Sequence, residues 1–111
     1  MTTATVLAEI RRQITDTIET YRYTDIIIYL KMTMAQQRIV TDHPESMCSD
    51  TAVVITDPAD IAVAVGPGLS NHFFMALVHL SCHLIFLDDS EDVGNERLAD
   101  KHLDLYERSV A

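Results

Sequence analysis

Three histidines, His72, His79 and His83, punctuate one apolar stretch at spacings of seven and four residues. On an α-helix that turns about 100° per residue, offsets of seven and eleven residues return to within about 20° of the starting direction, so the three imidazoles share one stripe. His79 and His83 stand i, i+4, the spacing at which a helix offers two nitrogens to one metal ion, and Cys82 adds a soft donor three residues beyond His79. His102 in the last helical segment, or His43 between the two halves of the chain, would complete a tetrahedral shell. Asp88 and Asp89, just past the helix end, would orient an imidazole. A zinc or other transition-metal site on His72, His79, His83 and His102 is the sharpest chemical reading of these residues. The plainer reading comes first. No glutamate falls inside the His79 and His83 pair as it does in zinc proteases, and a histidine on an apolar helix is ordinarily a core residue with one hydrogen bond. On that reading no cofactor is expected, and the stripe lines the core or a subunit interface, or responds to protons.

Other chemistry is thinner. Cys82 beside His79 and His83 is the one thiol–imidazole combination, and its neighbours Leu80, Leu84 and Ile85 predict a buried, inert thiol. Lys31, between Leu30 and Met32, either loses basicity through burial or reaches along its neighbours to water. The run from Ala62 to Asn71 has the order strand, glycine turn, helix start with which backbone amides cradle a phosphate. Asn71 stands where a dinucleotide fingerprint has its third glycine, no Lys-Ser/Thr pair follows, and Pro67 removes an amide, so the segment reads as an interhelical turn. Asp88, Asp89, Glu91 and Asp92 form an acidic cluster between two helices, suited to the N-terminus of the second and to a basic partner. No catalytic set emerges, and a non-enzymatic role is expected.

These residues need elements to carry them. Val6, Ile10, Ile14, Ile18 and Tyr21 recur at three- and four-residue intervals and predict an amphipathic helix over residues 3–21. Between Tyr23 and Val40, Ile26, Ile28, Leu30, Met32 and Met34 alternate with Ile27, Tyr29, Lys31 and Thr33 in a strand-like period. The length of that segment without Gly or Pro favours a helix, capped by Thr24 or Asp25 and apolar nearly all round. Residues 41–50 read as a polar loop. Asp57-Pro58-Ala59-Asp60 has the order of a helix start, whereas Ile61 to Val65 suits a short helix or a strand. Ser70 or Asn71 opens a helix over residues 70–88. The tail from Asp92 to Val110 is a second amphipathic helix, with Leu98, Ala99, His102, Leu103, Leu105, Tyr106 and Val110 on its apolar stripe. The sum is a mainly α fold, a small bundle of four to five helices in one domain over residues 1–111. A short β element near 51–65, and with it an α+β arrangement, is the alternative.

Composition sets what such a bundle can meet. The 111 residues are 48% hydrophobic, enough to close a core, and 17 acidic against 8 basic residues leave a net charge of −9. That charge argues against direct contact with a nucleic-acid backbone or an anionic membrane surface, and towards a basic protein. The longest apolar run, Phe73 to Leu87, is too short and, at His79, Ser81 and His83, too polar to cross a bilayer. Two cysteines make no disulfide framework, and charged residues interrupt the first apolar positions, so a reducing, cytoplasmic setting is expected. The apolar residues crowd into two segments that so short a chain has trouble covering. A homo-oligomer is therefore expected, a dimer favoured, with Ile26, Ile28, Leu30, Met32, Met34, Phe73 and Phe74 at the interface. The functional expectation is an acidic interaction or inhibitor protein that self-associates through apolar helices. Its carboxylates Asp88, Asp89, Glu91 and Asp92 would bind a basic protein in the manner of a nucleic-acid mimic. A small metal- or ligand-binding protein using the histidine stripe of helix 70–88 is the alternative.

Overall fold

The alternating apolar run after Tyr23 is a helix and not a strand. Thr24 is extended and its hydroxyl accepts from the Ile27 amide at 3.4 Å, while Asp25 puts a carboxylate into the first turn, where unpaired amides favour negative charge. In a computed structural model that describes residues 1–14, 23–48, 55, 57–63, 68–89 and 93–111, this helix is one of five. They are α1 (Thr3–Gln13), α2 (Asp25–Asp42), α3 (Pro58–Val63), α4 (Phe74–Asp88) and α5 (Val93–Val110), with 3-10 turns at Pro44–Ser46 and Asn71–Phe73. The mainly α bundle is thus the fold, and no strand occurs among the described residues. Their one β feature is an isolated antiparallel bridge between Met47 and Leu69. Of the segment where a β element was the alternative, residues 51–54 lie outside the described residues, and the part from Pro58 to Val63 is helical.

Local chemistry explains where the helices begin and end. Thr2 caps α1: the Thr5 amide donates to its hydroxyl at 3.1 Å, and the Thr2 amide donates to the Thr5 hydroxyl at 3.0 Å. α1 closes at Gln13 with Ile14 as its cap, short of the 3–21 span that the apolar period predicts; Ile18 and Tyr21 lie outside the described residues. At that end Arg11 is turned inward, donating to the Tyr23 carbonyl at 3.1 Å and pairing with Asp25, which ties the end of α1 to the start of α2. Asp57 caps α3, its carboxylate accepting from the Ala59 amide at 2.9 Å with Pro58 in the first turn. The expected polar loop at 41–50 is partly regular: Thr41 and Asp42 belong to α2, and Met47 reaches the bridge. That bridge holds the chain after α2 to the chain before α4. The Ser70 amide donates to the Ser46 carbonyl at 2.7 Å and the Cys48 amide to the Gly68 carbonyl at 3.2 Å, with Gly68 at φ 77°, a left-handed turn that a Cβ would strain.

α4 is the axis of the molecule. It is apolar on every side, which a helix can be only when neighbours surround it, and α1, α2 and α5 all pack on it. Ala76, Leu77, Val78, Leu80, Cys82 and Ile85 are buried along its length. α2 brings Ile28, Met32, Ala35 and Ile39, α1 brings Val6 and Ile10, α3 brings Ile61, and α5 brings Ala99 and Tyr106. α2 runs antiparallel to α4, so that Lys31 Nζ lies 3.3 Å from Asp88 Oδ2 at the α4 C-terminus. No helix among the described residues is long and apolar enough to cross a membrane.

Candidate functional site

The histidines divide into two places. His79 and His83 project from α4 into the seam with α5 and are buried. His79 Nδ1 lies 3.1 Å from His102 Nδ1 of α5, and the two rings stack with centroids 5.3 Å apart and planes 29° from parallel. His102 also stacks on Phe86, centroids 5.7 Å apart. One turn along, His83 Nδ1 donates to the Ala99 carbonyl of α5 at 2.8 Å. His72 does not join them. It precedes α4 in the Asn71–Phe73 turn, where a 3-10 rotation of about 120° per residue breaks the stripe, and it is exposed beside an open cavity of about 670 Å³ shared with Glu45 and Cys48. The structure therefore brings His79 and His102 into contact, sets His83 next to them on a backbone carbonyl, and leaves His72 and His43 apart. Among the described residues no three His, Cys, Asp or Glu side chains come together as a group able to hold a metal.

Burial governs the chemistry of this seam. Removal from water pushes the His79 imidazole to lower basicity; the Glu9 carboxylate of α1 works the other way and Lys101 adds to the lowering. His102 is carried down to about 4, by burial first and then by the neighbouring His79, Lys101 and His83. Both rings are neutral at pH 7, and one Nδ1–H donates to the other Nδ1. Burial pushes the Cys82 thiol up to about 12, the inert state that its apolar neighbours predict, whereas Cys48 is exposed. Glu9 of α1 is half-buried, bonded by Arg12 Nε at 3.0 Å and Gln13 Nε2 at 3.1 Å, which lower its carboxyl to about 2. No spacing in the sequence links Glu9 to the histidines 70 or more residues away, and only packing of α1 on α4 does so.

The second feature is the outer face of α2. Of the seven residues expected at an interface, Ile28 and Met32 are core, Phe73 and Phe74 are half-buried, and Ile26, Leu30 and Met34 are exposed by 75%, 42% and 43%. Those three stand i, i+4, i+8 and form one ridge, with Ile27 beside it at 40%. A groove runs along each flank. An apolar one of about 230 Å³ is lined by Ile26, Tyr29, Pro58 and Ala59, and one of about 270 Å³ by Tyr23, Ile27, Lys31, Ile85, Asp88 and Asp89. From Ile26 to Thr41 the chain holds no acidic residue, while Lys31 and Arg38 are basic.

The acidic cluster is partly engaged within the fold. Asp88 pairs with Lys31, and Asp89 accepts from the Tyr23 hydroxyl at 2.7 Å and from Asn95 Nδ2 at 3.1 Å. Glu91 and Asp92 lie outside the described residues. The roles of Tyr23, Asn95 and Lys31 as anchors carry no local signature; each is a single polar residue that tertiary packing sets beside a carboxylate.

No protein-family model matches the chain, and no curated protein or solved structure matches it.

Proposed function

We propose that this chain is a non-enzymatic interaction protein that forms a homodimer through the outer face of α2 and offers its acidic surface to a basic protein. The observation that carries the dimer is the ridge of Ile26, Leu30 and Met34, four-residue steps of large apolar side chains left exposed on a chain of net charge −9. A second copy suits it better than a foreign basic protein. From Ile26 to Thr41 α2 itself carries no carboxylate for a basic partner to neutralise, and its ridge is where two acidic copies meet with few charges opposed: the nearest carboxylates are Asp25 at the start of the helix and Asp88 and Asp89 on one flank, Asp88 paired with Lys31. Ridge and groove are self-complementary, as a twofold interface requires: the ridge of one copy enters the apolar groove between α2 and α3 of the other. Two ridges of i±4 spacing pack at a crossing angle near −50°.

Exposed carboxylates elsewhere, Glu96 and Asp100 of α5 among them, remain available to a basic partner in such a dimer. Light scattering at micromolar concentration tests the assembly. The expected mass is about 25 kDa, twice the 12.5 kDa of one chain, falling to one chain in Leu30→Glu, which still melts cooperatively but at a temperature no longer dependent on concentration. A compact wild-type monomer overturns the reading. Association with a basic protein is expected to weaken steeply with salt, and a salt-independent affinity overturns the second half.

A further inference from the structure

We propose that the His79 and His102 pair is a proton-operated latch: it holds α5 on α4 while the two rings share one Nδ1 proton, and protonation of both rings releases α5. The geometry carries the inference. With Nδ1 atoms 3.1 Å apart, one nitrogen donates and the other accepts. A first added proton goes to the free Nε2 of the donor ring and leaves the contact intact. A second has one place left, the accepting Nδ1, and two N–H groups then point at each other across 3.1 Å in a buried seam. The contact has to open.

The charges facing the pair set the order. From α1, Glu9 faces His79 and stays anionic far below neutral pH, so the first proton settles on His79. From α5, Lys101 opposes a charge on either ring, and from α4, His83 opposes one on His102. The basic groups of α2 on this part of the fold are engaged elsewhere, Lys31 with Asp88 and Arg38 over the Tyr106 ring. The second proton therefore falls on His102, which is already packed against both His79 and Phe86. α5 packs chiefly on α4, so opening this seam frees one helix while the contacts of α1 and α2 with α4 persist. What it uncovers is apolar: a side of α4, together with Ala99 and Tyr106 of α5. The latch involves the α4–α5 seam and not the α2 face, so it stands or falls apart from the dimer.

Amide hydrogen exchange of the full chain, corrected for the intrinsic pH dependence of exchange, reads the release directly. Between pH 7 and pH 3.5, α5 is expected to lose at least ~10-fold more protection than α2, a difference of one helix opening by itself. In His79→Gln/His102→Gln two amides can still bond each other but neither titrates, and the excess loss in α5 is expected to vanish. Parallel loss in α5 and α2, or an unchanged excess in the double variant, overturns the latch. Should the double variant not fold, imidazole nitrogen shifts of the wild-type chain decide. Expected are two separated steps with the His102 step coinciding with the loss of α5 protection; two rings titrating together near the ordinary value, with α5 still protected, overturn it.

Discussion

The Tyr23 hydroxyl donates to Asp89 Oδ2 at 2.7 Å across 66 residues of chain, joining the residue before the Thr24 cap of α2 to the residue after α4. Asn95 Nδ2 donates to the same carboxylate, and to the Asp89 carbonyl at 3.0 Å, so Asp89 is the point at which α2, α4 and α5 are held together. Tyr23→Phe is expected to cost about 1 kcal/mol and Asp89→Ala about 2 kcal/mol, since the second removes the carboxylate that Tyr23 and Asn95 share. Urea midpoints of both variants and of the double variant check this, and the double is expected to cost less than the sum.

Ile26 and Ile28 are two residues apart and look alike in sequence, yet one is exposed and the other fully buried. Ile28→Ala is expected to destabilise the chain by about 2–5 kcal/mol and Ile26→Ala by no more than about 0.5 kcal/mol. Chemical denaturation in the Leu30→Glu background separates these folding effects from any assembly.

Lys31 and Asp88 form an asymmetric pair, the lysine buried and the carboxylate 71% exposed. Lys31→Met is expected to be neutral within about 1 kcal/mol, because an apolar side chain of similar length suits the site. Asp88→Ala is expected to cost about 1 kcal/mol at low salt and less at high salt, since it leaves a buried ammonium behind. Midpoints in urea at two ionic strengths give the comparison.

Gln36 is fully buried in α2, and among the described residues neither its amide nitrogen nor its oxygen has a hydrogen-bond partner. Gln36→Met keeps the shape and removes the desolvation cost, and a stabilisation of about 1–2 kcal/mol is expected in thermal or urea melts.

Stability is expected to fall with acid in two separable windows. His79 and His102 bind protons more weakly folded than unfolded, so the unfolded chain takes up more protons as the pH drops below about 6.5. Their contribution is complete above that pH and declines towards pH 4, where His102 itself becomes protonated; the expected loss is about 2–3 kcal/mol. Glu9, held at about 2 by its bonds to Arg12 and Gln13, contributes above its ordinary 4.5 and is lost as the pH falls towards 2. Urea midpoints across pH 2–8 are expected to lose the upper window in His79→Gln/His102→Gln and the lower one in Glu9→Gln.

Much of this architecture was legible one residue at a time. The Thr24 cap, the Asp57-Pro58 helix start, the end of α4 at Asp88 and the inward stripe of α5 through Ala99, His102 and Tyr106 all follow from local hydrogen bonding and a 3.6-residue period. The candidate site was half legible. The i, i+4 spacing puts His79 and His83 on one side of α4, and that side does face His102, but the same arithmetic carried His72 into the stripe because it assumed an α-helix where the chain makes a 3-10 turn.

The α2 ridge shows why the rest was hidden. A segment apolar on nearly every side has no hydrophobic period to say which side is covered, and Ile26, Ile28, Leu30, Met32 and Met34 are equivalent until α4 takes one face and α3 a flank. The sequence by itself determined the helices, their caps, the charge and the acid-free stretch of α2, because these follow from neighbours along the chain. Only the tertiary structure decided which isoleucines stay in water, that Glu9 faces His79, and that two imidazoles 23 residues apart on different helices meet at 3.1 Å, because a contact between distant residues is set by how helices pack and not by any spacing within one of them.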